Sequence, residues 1–486
     1  MSVNFNQFYV PAPLAAASSA SPSSDSSSSG SSASLSSPDV RSGRHRAPLS
    51  QALANYVSFP FPFVKKPKLR KNPNGKTGNG DKGKSKIPRD GQQQCQASGQ
   101  RLHGGATPLV GEHWRKTPTG AYVPLTLLEL SVRNICTQLL MDQPDVLQGA
   151  LPTELATSVL QWLRQHHALG KTQFQILAPF LLYEWNLAGQ TDVEDSWFDD
   201  LPSTPLQHVK NIDVSGCHRL QQLGSEWGRP VVELPSLTIA CFQDCTKLSC
   251  DSIEMLQFST KLTQLNLSGC SSVNDGCLKA LRGLVHLKSL ELVRLIVVDR
   301  ILQIGQLMSL QVLVIRGCQD IGDDGMRSLA GLTELTYFDA RHCGQVHSIP
   351  TEWRQLQVLL LGYTAFAESD AAVLQHLLNL RELELRKCRI LKRGFQFISR
   401  LPKLERLGLA ETALTDAGLL EICNGIPYLR ALNISNTEIS DAGAVGLAKL
   451  KELRILRMDA PGITNRALAN LSFLSRLERL DLFGAK

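Results

Sequence analysis

The sequence predicts an α/β solenoid over residues 175–486: a curved parallel sheet with one short strand per repeat, and helices on its convex side. Three observations carry this. A pattern of the form Leu-x-x-Leu-x-Leu recurs, with clear copies opening at Val209, Leu237, Leu262, Leu287, Leu310, Leu335, Leu356, Leu380, Leu404, Leu429, Leu453 and Leu477, and a weaker one at Leu182. The intervals between clear copies are 28, 25, 25, 23, 25, 21, 24, 24, 25, 24 and 24 residues, too even for coincidence. A small residue also returns at one fixed place behind the strand, first as Cys217, Cys245, Cys270, Cys318, Cys343 and Cys388, then as Thr412 and Thr437.

Each repeat divides into three parts. In Leu380-Arg-Glu-Leu383-Glu-Leu385 the leucines alternate, as a strand requires, so Leu383 and Leu385 face the core while Glu382 and Glu384 face the concave side. A turn follows, and its Cys or Thr lies inside the bend. The next stretch, as in Leu414-Thr-Asp416-Ala-Gly418 or Ile439-Ser-Asp441-Ala-Gly443, offers a hydroxyl or carboxylate to cap a helix on the convex side. One repeat cannot bury its own leucines, so the array is stable only as a stack.

This pattern resembles the cysteine-containing class of leucine-rich repeats, found in many F-box proteins that select substrates for ubiquitin ligases. The resemblance covers about Leu182 to Phe483 and implies a binding surface. The chain stops at Lys486 soon after its last strand, without a polar capping helix. The expectation is a truncated product, or an end that a partner covers.

Residues 1–115 lack hydrophobic periodicity and are rich in Ser, Pro, Gly, Asn and Lys, so disorder is expected there. Much of the net charge of +7 sits in this segment. The run Lys65-Lys66-Pro67-Lys68-Leu69-Arg70-Lys71 resembles a nuclear localisation signal, and a solvated basic linker is the other reading. The expected location is nucleus, cytoplasm or both.

Between residues 120 and 170 the apolar spacing becomes helical, and two helices are predicted, about Leu125–Met141 and Thr153–Leu163. Thr126-Leu127-Leu-Glu-Leu-Ser131-Val-Arg-Asn-Ile135 resembles the elongin-binding BC box, with Ser131 where that box has cysteine. A shifted alignment restores a cysteine at Cys136 and puts Val132 where leucine belongs. Downstream, Leu151, Pro152, Leu155 and Val159 fit a cullin-binding box. The two together resemble a VHL box ahead of leucine-rich repeats, as in Zyg-11-type substrate receptors. The run Leu151-Pro152-Thr-Glu-Leu155 also resembles the opening of an F-box, which implies a Skp-like adaptor. The plain alternative is that these helices cap the first strand of the solenoid. In the first reading Leu127, Leu130 and Ile135 form an apolar stripe for a partner's groove.

No zinc-protease helix or serine nucleophile elbow occurs. Cys241, Cys245 and Cys250 are close in sequence but diverge in the repeat register, so neither a metal nor another cofactor is expected. The most apolar stretch, Leu290 to Leu307, carries Glu291, Arg294, Asp299 and Arg300, which excludes it as a membrane span. The basic tail gives no reason to expect specific nucleic-acid binding.

The expected function is protein recognition without catalysis: the helical segment holds an elongin-like or Skp-like adaptor and a cullin, and the concave sheet holds the target. The rival is a repeat scaffold unconnected with ubiquitin; a RanGAP-like regulator lacks support in the shorter period. The candidate concave site is Val312, Val314, Arg316, Tyr337, Asp339, Arg341, Val358, Leu360, Tyr363, Glu382, Glu384 and Arg386, an apolar and aromatic patch rimmed by charge.

Overall fold

The computed structural model describes residues 114–116, 122–141, 151–199, 201, 203–222, 234–295, 301–459 and 461–482. The basic cluster Lys65–Lys71 lies outside them, as does the expected tail except for Trp114 and Arg115.

The described chain opens with β1 (Trp114–Lys116) antiparallel to β2 (Tyr122–Pro124). Helix α1 (Leu127–Leu140) starts where Thr126 caps it: the Thr126 Oγ1 accepts from the Glu129 backbone N–H at 3.2 Å, and the Glu129 carboxylate accepts from the Thr126 N–H at 2.7 Å. That reciprocal cap explains why the helix begins two residues later than its apolar pattern suggests. Helix α2 (Thr153–Gln165) starts directly behind Pro152, whose missing N–H and fixed φ suit a helix start. The two helices pack through Val132, Cys136 and Leu139 on one side and Ala156, Val159, Leu160 and Leu163 on the other. α3 (Lys171–Leu177) follows.

Then comes one sheet of thirteen parallel strands in strict sequence order. Its first seven are β3 (Glu184–Asn186), β4 (Asn211–Asp213), β5 (Ile239–Cys241), β6 (Gln264–Asn266), β7 (Ser289–Glu291), β8 (Val312–Val314) and β9 (Tyr337–Asp339). The rest are β10 (Val358–Leu360), β11 (Glu382–Glu384), β12 (Arg406–Gly408), β13 (Ala431–Asn433), β14 (Ile455–Arg457) and β15 (Arg479–Asp481). Every strand opens two residues after the leucine or valine that marks its repeat. The register keeps like positions together, for example Leu359 with Leu383, Leu383 with Leu407, and Leu407 with Leu432.

The middle residue of each strand points inward, and so does the residue just after the strand. Leu383, Leu385, Leu407, Leu409, Leu432 and Ile434 are all buried, at 1% exposure or less. The six repeating cysteines are buried beside them and carry free thiols. The returning chain is short α-helix or 3₁₀ turn, such as 323–328, 416–425 and 441–447, with Ser440 capping the last of these.

The N-terminal helices close the start of this core. Trp185 of β3 packs edge-on against Phe174 of α3, with Phe198 and Trp197 completing the cluster. From α2, Arg164 donates through Nη2 to the Ala188 carbonyl at 2.7 Å, just past β3. Covering the first strand is therefore part of what these helices do. No helix among the described residues is long and apolar enough to cross a membrane.

Candidate functional site

Two surfaces hold the residues singled out from the sequence. On the helical segment, Thr126 is the exposed cap, and Leu127 and Leu128 stand in solvent at 81% and 56% exposure. Ser131 donates its hydroxyl to the Leu127 carbonyl at 2.9 Å and is half-buried. Ile135, Leu151 and Leu155 are partly buried against the core. Pro152 is exposed, and Val159 is fully buried where Cys136 leans on its carbonyl. The positions expected to meet an adaptor and a cullin are thus split. The first turn of α1 is free, while Val159 faces the helix interface and cannot meet a partner in this arrangement.

The shifted cysteine alignment leads inward as well. Val132 and Cys136 form the buried side of α1, and burial lifts the Cys136 thiol to about 12.

On the sheet, first and third strand residues face the concave side together with the residue two places beyond. Val312, Val314, Arg316, Tyr337, Arg341, Val358, Glu382, Glu384 and Arg386 are half-buried there. Asp339 and Leu360 differ, at 2% and 3% exposure. Neighbouring strands lie about 5 Å apart, so the side chains at Asp339 and Glu384 close over Leu360 from either side. Arg341 covers Asp339 in a bidentate pair, Nε to Oδ1 at 2.9 Å and Nη2 to Oδ2 at 2.6 Å. Burial opposes the Arg341 charge, but Asp339 outweighs it and holds the guanidinium above its ordinary value.

Tyr363 needs a correction. Counted from Leu356, the residue aligned with Arg341 and Arg386 is Gly362. Tyr363 lies one place further, on the turn beside the sheet, with φ +63°. Its ring stacks on His342 with centroids 4.5 Å apart, and the Arg386 guanidinium sits 5.3 Å above it.

Sequence reasoning missed Glu291. It is the third residue of β7, accepts from Asn266 Nδ2 at 3.0 Å, and burial pushes its carboxyl up to about 7, with Asp339 adding to the shift. The signal was its strand position, the same as that of Asp339 and Glu384. Glu384 is also raised, first by burial.

Three further points bear on chemistry. Cys245 is in the buried ladder, Cys241 lies on the concave side against Ser215, and Cys250 is disulfide-bonded to Cys277 with Cα atoms 4.9 Å apart. Among the described residues no group of three or more His, Cys, Asp or Glu is placed to hold a metal ion. Two histidines have structural neighbours: His166 stacks on Trp162, and His347 lies 3.4 Å from Asp323.

The leucine-rich-repeat family pattern matches residues 306–330 and 425–448. No curated relative matches the chain. Among solved structures, an internalin (inlF) of Listeria monocytogenes is 19% identical with a TM-score of 0.46, over 71% of this chain and 97% of that one. Internalin C2 (inlC2) of the same species gives 19% and 0.32, over 46% and 83%. A leucine-rich-repeat protein of Leptospira interrogans gives 17% and 0.33, over 62% and 90%. The fold rests on the strand register itself rather than on these overlaps. Register and family match agree that residues 184–481 form a leucine-rich-repeat solenoid, an architecture suited to protein–protein recognition.

Proposed function

We propose that this chain is a substrate receptor of a cullin-type ubiquitin ligase, with α1 and α2 holding an elongin-like or Skp-like adaptor and the sheet holding the target. It contributes no catalytic step of its own; the chemistry belongs to other subunits. The observation that carries the reading is Leu127 and Leu128, two leucines in solvent on the first turn of a helix whose start is fixed by a capping box. Exposed leucine at a rigid helix start is what a helix-in-groove partner takes up. Capping β3 is compatible with this, because it falls to Arg164 of α2 and Phe174 of α3, and the buried side of α1, Val132, Cys136 and Leu139, packs on α2.

The test is a pull-down from cells with the full chain and with Leu127→Asp plus Leu128→Asp. Both side chains are in solvent, so the fold should be unaffected. Wild type should recover a cullin and one adaptor, and the variant neither. If wild type recovers neither, the chain is a repeat scaffold unconnected with ubiquitin.

A further inference from the structure

The residue just before each repeating Cys or Thr sits in a turn with positive φ. In the earlier repeats that residue is Gly189, Gly216 or Gly269, which adopt such a backbone freely, or Asp244 (φ 58°). From β7 to β11 the same place is filled by Arg294 (φ 57°), Gly317 (φ 76°), His342 (φ 64°), Tyr363 (φ 63°) and Lys387 (φ 61°). A side chain there costs about 1 kcal/mol or more, and such strain gathers where the side chain has a task.

The residues one place earlier in these five repeats are Val293, Arg316, Arg341, Gly362 and Arg386. No carboxylate occupies either place. Asp339 pairs with Arg341, and Glu411, which holds the same turn place in the next repeat, pairs with Arg386. The row is joined edge to edge. A Cβ on Gly317 would come within 3.1 Å of the Arg294 Cγ, so the arginine stem lies over that glycine. Tyr363 is flanked by His342 on one face, with Arg386 at 5.3 Å and the Lys387 ammonium at 5.6 Å. The local field is positive enough to be felt: burial first, then Arg316 and Arg341, hold His342 below its ordinary value.

We propose that this turn edge, from Arg294 to Lys387, binds an acidic, Asp/Glu-rich segment of a protein partner, with Tyr363 at its centre. Charge complementarity selects that occupant, and it turns away the chain's own lysine-rich stretch between Lys65 and Arg89. Five turns at strand spacing run about 19 Å, which an extended segment of roughly six residues covers. Carboxylates meet the cations while an apolar stem lies on the tyrosine ring, the aromatic-plus-arginine pairing common at interface anchors. The inference rests on the proposed function only in taking the chain to recognise a protein.

The test is fluorescence anisotropy with the full chain and a labelled oligoglutamate peptide at low and physiological salt. Wild type should bind it, more tightly at low salt. Arg294→Gly plus Lys387→Gly should lose about tenfold in affinity, since two cation contacts are removed. The same variant should melt no lower than wild type, because glycine relieves the backbone strain there. Tyr363→Ala should weaken binding further while leaving far-ultraviolet circular dichroism unchanged. The proposal is overturned if oligoglutamate does not bind, if the glycine variant binds it as well as wild type, or if oligolysine or a single-stranded oligonucleotide of equal charge binds more tightly. The Leu127→Asp, Leu128→Asp variant should bind oligoglutamate like wild type. Retained peptide binding with no cullin recovered therefore removes the ligase reading alone.

Discussion

The cysteine-bearing repeats and the threonine-bearing repeats hold their stack together by different means. In the first block the thiol reaches across to the previous repeat: Cys318 donates to the Leu292 carbonyl at 2.9 Å, Cys343 to Ile315 at 3.1 Å, and Cys388 to Leu361 at 3.2 Å. In the second the hydroxyl bonds within its own turn: Thr412 donates to Leu409 at 2.7 Å and Thr437 to Ile434 at 2.6 Å. The threonine therefore closes its turn but ties nothing to its neighbour. From the Cys388 repeat onward, strand-flanking ion pairs cross between repeats: Arg381 and Arg430 both reach Glu405, Arg406 reaches Glu382, and Arg454 reaches Glu478. A buried cross-tie is indifferent to salt, and an exposed ion pair is not. One architecture thus carries two blocks that should answer differently to the same perturbation.

The largest effect should be common to both blocks, because both rest on the same inward leucines. Leu407→Ala in the later block and Leu313→Ala in the earlier one each empty a site of 1% exposure or less, and each should cost about 2–5 kcal/mol in denaturant unfolding. A clear difference between the two would mean that the blocks also differ in how their cores collapse.

Next in size are the turn residues themselves. Cys343→Ala and Thr412→Val should each cost about 1 kcal/mol through a lost hydrogen bond and altered packing. They should differ in reach. Amide exchange should rise in the preceding repeat, around Ile315, for the cysteine variant, and only in its own turn for the threonine variant. Equal reach would erase the distinction drawn from the hydrogen bonds. Burial holds the Cys343 thiol at about 12, so alkylation at neutral pH should require unfolding.

Glu291 gives the earlier block a pH signature. Its folded pKa, about 7, lies above the ordinary carboxyl value, so the folded state binds the proton more tightly than the unfolded chain. The stability this contributes is complete below about pH 4.5 and is lost as pH rises through about 7. Glu291→Gln should therefore melt above wild type at pH 8 and level with it at pH 4.5; equal melting at both would show the carboxyl is not raised. The smallest effect is salt. Each exposed ion pair should contribute no more than about 1 kcal/mol, so molar chloride should raise amide exchange slightly around β12 to β15 and leave β5 to β9 unchanged. A uniform response would mean those pairs add nothing that distinguishes the blocks.

What the sequence determined by itself was whatever repeats. Leucine spacing fixed the strands to within the same two-residue offset in every repeat, because burying a period-2 stripe in a stack leaves one register. Cys217 to Cys388 could be placed inside on the same grounds. The two helices before the array were legible, down to the start of α2 at Thr153, but not the first residue of α1, since that depended on the Glu129 side chain turning back to Thr126. Tertiary structure alone decided three things. Tyr363 stands on the turn rather than the sheet, at the positive-φ place it shares with His342 and Lys387, seven residues past the leucine that marks each repeat. Asp339 and Leu360 became buried on a face expected to be open, because strands about 5 Å apart make neighbouring side chains cover one another. Arg294, His342, Tyr363 and Lys387 became a single edge, although some 20 to 50 residues of chain separate each from the next. Periodicity reports which way a side chain faces within its own repeat. Which side chains meet across repeats depends on the stacking, and no single repeat contains that information.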